Sequence, residues 1–512
     1  MRYLTPILLK GLVLSCSLFA LVAPAAELHI DVVGSGGEPV WARLEVRSPD
    51  GQMYQPLFAL RDRTARNRPG GGPWYRGSFA AQGKTVVEVP AGSYTVVAER
   101  GPEFGRLEET VTVSEEQPAE LRVRLEPWIR MNERGWWSAD FHVHRPSEDA
   151  AKLVLAEDLN LGVVFTMWNK QDLWQDKEFP TQQEIAADPN HLITVLNAED
   201  ERGGGAWMFH GLRHKLDLAA DGRWFPLGLK FIQDAKAQRY YPRGFPWFDS
   251  EKPFWWEVPV VMALSPPDSF GVIHNHFNQY GINDSEAWGR PRGSEKYPGP
   301  EGFVEASLDL YYRYLNLGFR IPPSAGSASG VLPNPVGYNR IYVQMDRPFS
   351  VQSWYDAYRD NSSFVTNGPM LFFEAAAAPN RQMRLTVDVQ SRGPLDRIEI
   401  VANGKVVQKF DAPEGKTTFH TELTMESGEH TWVAARCFEK SDSTIRMAHS
   451  KPVFFNDAVW DAREDAQFFV DWMDELIEQT KNDPQRFSSD AERDSVLSTY
   501  QQARNFYKNK TY

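Results

Sequence analysis

GWWSADFHVHRP, residues Gly135–Pro146, runs apolar residues into two histidines one position apart and stops with a proline. In a β-strand successive side chains point to opposite faces, so Asp140, His142 and His144 share one face while Phe141 and Val143 take the other. Two imidazoles side by side read either as a pair of metal ligands or as hydrogen-bonded residues at a strand end. The surrounding pattern bears on the choice. From about Trp128 to Val343 apolar runs alternate with helical segments: FHVH precedes DAAKLVLAEDLN, and VVFTMWN, LITVLNAED, GVIHNH, EASLDLYYRYLNLG, IPPSAGSASG and RIYVQM follow. Such alternation implies parallel strands covered by helices, and at this length a β/α barrel. Each run ends in polar chemistry: His142 and His144, Asn169, Glu199 and Asp200, His274 and His276, Ser327 and Ser329. Barrels of this kind build their sites at the C-terminal ends of the strands, so these positions are expected on one rim.

The chain has 512 residues, too many for one ordinary core, and ~150 residues per domain suggests about three domains. Residues 1–26 combine Arg2 and Lys10 with an apolar run and a small-residue end at Ala23–Ala25, which reads as a secretory signal. The expected location is secreted or periplasmic, with a lipid-bearing start at Cys16 as the alternative. From 27 to 127 short alternating runs with Gly, Pro and Asp-Gly turns predict a β-sandwich, interrupted by a long loop at Asn67–Gly77. Its stretch GKTVVEVPAGSYTVVAE resembles the carboxypeptidase-regulatory-like sandwiches of secreted proteins. The barrel is assigned to 128–375, and alternation returns over 376–456 as a C-terminal β-domain with an Asn403-Gly404 hairpin turn. Residues 457–512 carry helical spacing with caps near Asp457 and Ser488, predicting a terminal helical hairpin. The fold class is therefore α/β: a distorted barrel flanked by two β-domains and a helical tail.

A formal charge of −13 argues against a nucleic-acid binder, which must neutralise phosphates. No segment after the leader approaches the ~20 consecutive apolar residues that cross a bilayer, so no stable membrane insertion is expected. Only Cys437 remains beyond the leader, so no disulfide forms within the chain. Seventeen tryptophans suggest large cores or a stacking surface for a planar or sugar-like ligand. Trp168, Trp174, Trp207, Trp255, Trp256 and Trp288 fall in segments that would rim the barrel mouth, and the adjacent Trp255 and Trp256 could wall a cleft.

Four stretches, GWWSADFHVHR, NAEDERGGG, AGSASGVLPNPVGYNRIYV and SFVTNGPML, resemble the PHP (polymerase and histidinol phosphatase) superfamily of metal-dependent hydrolases, in its CehA/McbA-like branch. The likeness covers about half of the chain, from near Gly135 to near Leu371. It implies a distorted β/α barrel whose strand ends hold up to three divalent metals, with His142, His144 and Glu199 matching ligand positions. The family's Thr-Asp-His falls at Thr166-Met167-Trp168, and its late Gly-Ser-Asp-x-His falls at Gly326-Ser327-Ala328-Ser329-Gly330. Met167, Trp168, Ala328 and Gly330 thus stand where ligands are expected, which argues against a full trinuclear centre.

His142, His144 and Glu199, completed by His276 or His274, form an N/O donor set of the kind that suits one or two ions of Zn²⁺, Mn²⁺ or Fe²⁺. His276 is favoured for the metal, with His274 a second ligand or proton carrier. Asp200 or Glu201 is placed to take a proton from water, and Arg145 to clamp an anionic oxygen. His210 is the structural histidine of the set. Two functions follow: an exported hydrolase of ester, carbamate-like or phosphoester bonds in a small-molecule or glycan substrate, or a degenerate barrel that binds glycan or peptide.

Overall fold

The structure, a computed structural model, describes residues 26–56, 60–61, 77–220, 222–239, 244–428, 430–455 and 460–511. The leader with its cleavage point, most of the loop at 67–77 and the cap expected at Asp457 lie outside the described residues.

A sixteen-stranded mixed sheet forms the spine of the α/β fold. In the part of the sheet that carries the histidines, six strands run in one direction: Trp136–Val143, Leu161–Trp168, His191–Glu201, Trp247–Ser250, Ser269–Ile273 and Pro323–Ala325. One antiparallel strand, Ala206–His210, is inserted between the third and fourth. The expectation of uniformly parallel strands is corrected here: Gly203–Gly205 turns the chain back as a hairpin, pairing Glu201 with Ala206. Among the described residues the ladder stays open, ending at Pro323–Ala325. The loop beyond that end returns to the first strand through a single parallel bridge, Val143–Ser329, and a bond from the His144 N–H to the Ser329 carbonyl (2.7 Å).

Pro146 ends the first strand, and helix Ser147–Ala156 starts directly behind it. Glu148 and Asp149 in its first turn suit the positive end of the helix dipole. Ala150, Leu153 and Val154 recur at helical spacing and are buried with Val164, Ile193 and Val195 of the sheet. On the other side, Gly299–Asn316 and the aromatic residues Trp354, Tyr355 and Tyr358 of Val351–Asp360 cover the strands. Two small sheets near the N-terminus enclose Leu28, Ile30, Leu44, Val87 and Val96.

The large sheet continues through Arg340–Gln344 and Ser363–Thr366 to Met447–Ser450, Trp432–Glu439 and the hairpin Leu395–Ala402 with Lys405–Asp411. That hairpin turns at Asn403 and Gly404, both at positive φ (46° and 79°), the conformation that favours this residue pair in a two-residue turn. Two terminal helices, Arg463–Asn482 and Asp490–Lys508, pack on each other, and the second is capped by Ser489 rather than Ser488. The second also packs against helix Val258–Leu264, where the Tyr507 hydroxyl donates to the Pro259 carbonyl (2.7 Å). Among the described residues no helix is long and apolar enough to cross a membrane.

A candidate metal centre at the strand ends

The first strand is anchored by the side chain that points away from the histidines. Phe141 lies among His210, Trp354, Tyr355 and Tyr358, with ring centroids 4.7 to 5.7 Å apart. His142 then faces the opposite side, as strand alternation requires. Asp140 shares that side but holds backbone: its oxygens accept the N–H groups of His142 (2.9 Å), Ser327 (3.0 Å) and Gly337 (2.7 Å). The carboxylate therefore ties the strand end to the loop after the sixth strand.

His142, His144 and Glu199 meet, all buried or nearly so. Nε2 of His142 lies 2.9 Å from Nε2 of His144, and Oε2 of Glu199 lies 3.4 Å from the first and 2.9 Å from the second. The circle through these three atoms has a radius of about 1.8 Å, inside the ~2.0–2.1 Å reach of a metal–donor bond, so all three can touch one ion. Both Glu199 oxygens are buried with no aligned hydrogen-bond partner, although Oε2 lies 2.9 Å from His144 Nε2. Buried carboxylate oxygens are normally satisfied, and an orphaned Oε2 facing two imidazole nitrogens fits a cation between them.

In the metal-free cluster the charges are tightly coupled. Burial lowers the His142 pKa, but the charges of Glu199 and Glu251 outweigh it and hold the group well above the usual imidazole range. His144 is pushed down, first by burial and then by His142. Burial raises Glu199, yet His142 and His144 pull it to about 2. The three side chains thus form a strongly interacting unit built around an anionic carboxylate.

The fourth of the parallel strands brings two residues that the sequence pattern did not reveal. Glu251 and Lys252 follow Trp247–Ser250, both buried. Glu251 Oε1 accepts from His142 Nδ1 (2.8 Å), so that once the ring gives up its second proton, as metal binding requires, Nε2 becomes its electron-pair donor on the side of His144 and Glu199. Its other oxygen takes the Lys252 ammonium, which also lies 3.4 Å from Glu201 Oε1. WFDS is a short strand without alternation, and only its position before an acidic residue hinted at a strand end like the others.

The other expected residues divide. Glu201 shares the Glu199 face and its carboxylate joins Glu199 and Glu251 within 4.8 Å. Asp200 takes the opposite face, paired with Arg202 (2.5 and 3.1 Å), so the structure does not bring it to the cluster. Arg145 is buried and its Nε donates to Ser329 Oγ (3.1 Å). His276 binds the Asn283 carbonyl through Nδ1 (3.1 Å) and stacks on Phe303. His274 packs among Phe254, Phe277 and Phe303, with its Nε2 buried and unpartnered. Burial pushes both pKa values down, that of His276 to about 3, so both are neutral bases. Neither is grouped with the three convergent donors. His210 binds the Tyr355 hydroxyl (2.9 Å) in the core.

Four positions where the resemblance led one to expect ligands carry none. The Trp168 ring lies 4.7 Å from that of His144, covering the side where a ligand was expected. Ala328 and Gly330 have φ of 48° and 104°, and a Cβ at Gly330 would strike the His144 carbonyl. No side chain fits there. Among the tryptophans, Trp207, Trp255 and Trp256 are buried, so the pair at 255–256 is core and not a cleft wall, while Trp288 is exposed. A cavity of ≈350 Å³ lies apart from the cluster, lined by ion pairs such as Arg43 with Glu99 and Glu157.

No protein-family model matches this chain, and no curated protein matches it.

Proposed function

We propose that this protein is an exported hydrolase that uses one divalent ion, Zn²⁺, Mn²⁺ or Fe²⁺, held by His142, His144 and Glu199, to cleave an ester, carbamate-like or phosphoester bond. The observation that carries the reading is the donor triangle with both Glu199 oxygens orphaned. Three protein ligands of N/O type leave room for water and substrate, the pattern of catalytic rather than structural sites. When bound, the ion supplies Lewis acidity and makes a neighbouring water more acidic.

The chain's own residues do the rest. Glu251 fixes the His142 tautomer through Nδ1. Glu201, whose side chain is 22% exposed, is the carboxylate at the mouth and accepts the proton from attacking water. Arg145, placed by Ser329 next to His144, steadies negative charge on the reacting oxygen. Trp168 shields one side of His144 from solvent. The loop 326–330 meets the end of the first strand at the Val143–Ser329 bridge, which holds it beside His144. Trp255 and Trp256 are buried and so offer no exposed stacking surface to a glycan or peptide.

The test is metal analysis of protein purified without added metal, followed by an ester and phosphoester screen of the loaded protein. One ion per chain, lost in His142→Ala together with hydrolysis, is expected. Unchanged metal content in His142→Ala refutes the site, and bound metal without hydrolysis refutes the activity.

A further inference from the structure

The three carboxylates of Glu199, Glu201 and Glu251 each place an oxygen within 4.8 Å of the others, which is spacing enough for a second ion. The space is already served by a cation of the chain. Lys252 is 3% exposed, its ammonium contacts Glu251 and Glu201, and it lies 5.1 Å from the centroid of the Trp255 ring. A buried ammonium with two carboxylates and an aromatic face is paired on every side that a lysine requires.

Charge balance sharpens the point. With Glu199, Glu201 and Glu251 ionised and His142 bound to the ion as a neutral ring, one ammonium plus one divalent ion cancel the three negative charges. A second divalent ion beside Lys252 would leave a buried excess of positive charge, which a low-dielectric site does not tolerate. The neutral His274 and His276 nearby add nothing to that sum.

We propose that the Lys252 ammonium stands in for a second metal ion and limits the centre to one, so that removing its charge converts the Glu199–Glu201–Glu251 group into a second divalent-cation site. The proposal rests on the one-ion reading above and is tested separately from it. In the role of a fixed cation Lys252 also keeps Glu201 directed at the mouth of the site, without releasing or taking up an ion during turnover.

The experiment titrates the full chain with Mn²⁺, measuring ions per chain by metal analysis and recording the spin-resonance spectrum. The parent is expected to saturate at one ion with an isolated-ion signal. Lys252→Met, which keeps the length of the side chain but not its charge, is expected to take two ions with a spin-coupled signal, and Lys252→Arg to remain at one. A folded Lys252→Met that saturates at one ion overturns the proposal. So does a parent that already holds two coupled ions, a result that needs no variant to fold. A parent that binds none overturns the metal reading itself and this inference with it.

Discussion

Glu251→Gln probes the centre through a residue that need not touch the metal. The carboxylate is buried, and it links the His142 ring (2.8 Å) to the Lys252 ammonium. The amide retains an oxygen that can accept from Nδ1, but its charge is gone and it can equally present an N–H to the ring, which favours the wrong tautomer. Loss of such an orienting partner costs 10- to 100-fold in metal affinity, about 1.4–2.7 kcal/mol. A second cost falls on the fold without metal. Lys252 keeps Glu201 at 3.4 Å and the Trp255 ring, and removing one member of a buried pair costs about 3–5 kcal/mol. The surviving contacts place this variant at the lower end. Competition against a chromophoric chelator measures the first quantity, and chemical denaturation of metal-free protein the second. Metal affinity within twofold of the parent, in a folded variant, would refute the claim that Glu251 orients His142.

Three further outcomes are expected. Glu201→Gln should lower turnover by ~10²-fold or more with metal still bound, as for a lost general base, whereas Asp200→Asn should act through stability alone, since its partner is Arg202; equal losses of turnover per folded molecule, with metal retained in both, would contradict the assignment of faces. Gly330→Ala should weaken metal binding and lower the melting temperature, because its φ of 104° and the His144 carbonyl leave no place for a methyl group; a variant as stable and as tight as the parent would show that the loop is not constrained. Burial pushes the Glu257 carboxyl up to about 7 from 4.5, so its contribution to stability is complete below ~4.5 and is lost as pH rises through ~7, a change of up to ~3 kcal/mol. Denaturation curves from pH 5 to 8.5 should therefore show Glu257→Gln gaining on the parent as pH rises, and parallel curves would dispose of the argument.

Much of the centre could be read from the ends of apolar runs. His142, His144 and Glu199 close such runs, and the structure brings them together. Which of Asp200 and Glu201 faces the site was open only while the pleat was ignored: period two joins 199 with 201 and turns 200 away. Glu251 and Lys252 were hidden because their strand has four residues and no alternation. Trp255 and Trp256 looked like loop residues, but they lead into helix Val258–Leu264 under the terminal hairpin, and burial there depends on chain some two hundred residues later. The reversed strand depends on the Gly203–Gly205 turn, whose glycines did not by themselves announce a hairpin.

The continuity of the large sheet bears on how the protein can be divided. Ser363–Thr366 pairs on one side with Arg340–Gln344 and on the other with Met447–Ser450. A fragment cut near residue 375 would keep all the proposed ligands and lose that second neighbour. It would expose a row of unpaired backbone donors and acceptors along Ser363–Thr366, whose side chains are buried in the intact chain. Such an edge recruits other chains. Minimal versions of the metal centre are therefore expected to aggregate unless the strand Met447–Ser450 travels with them.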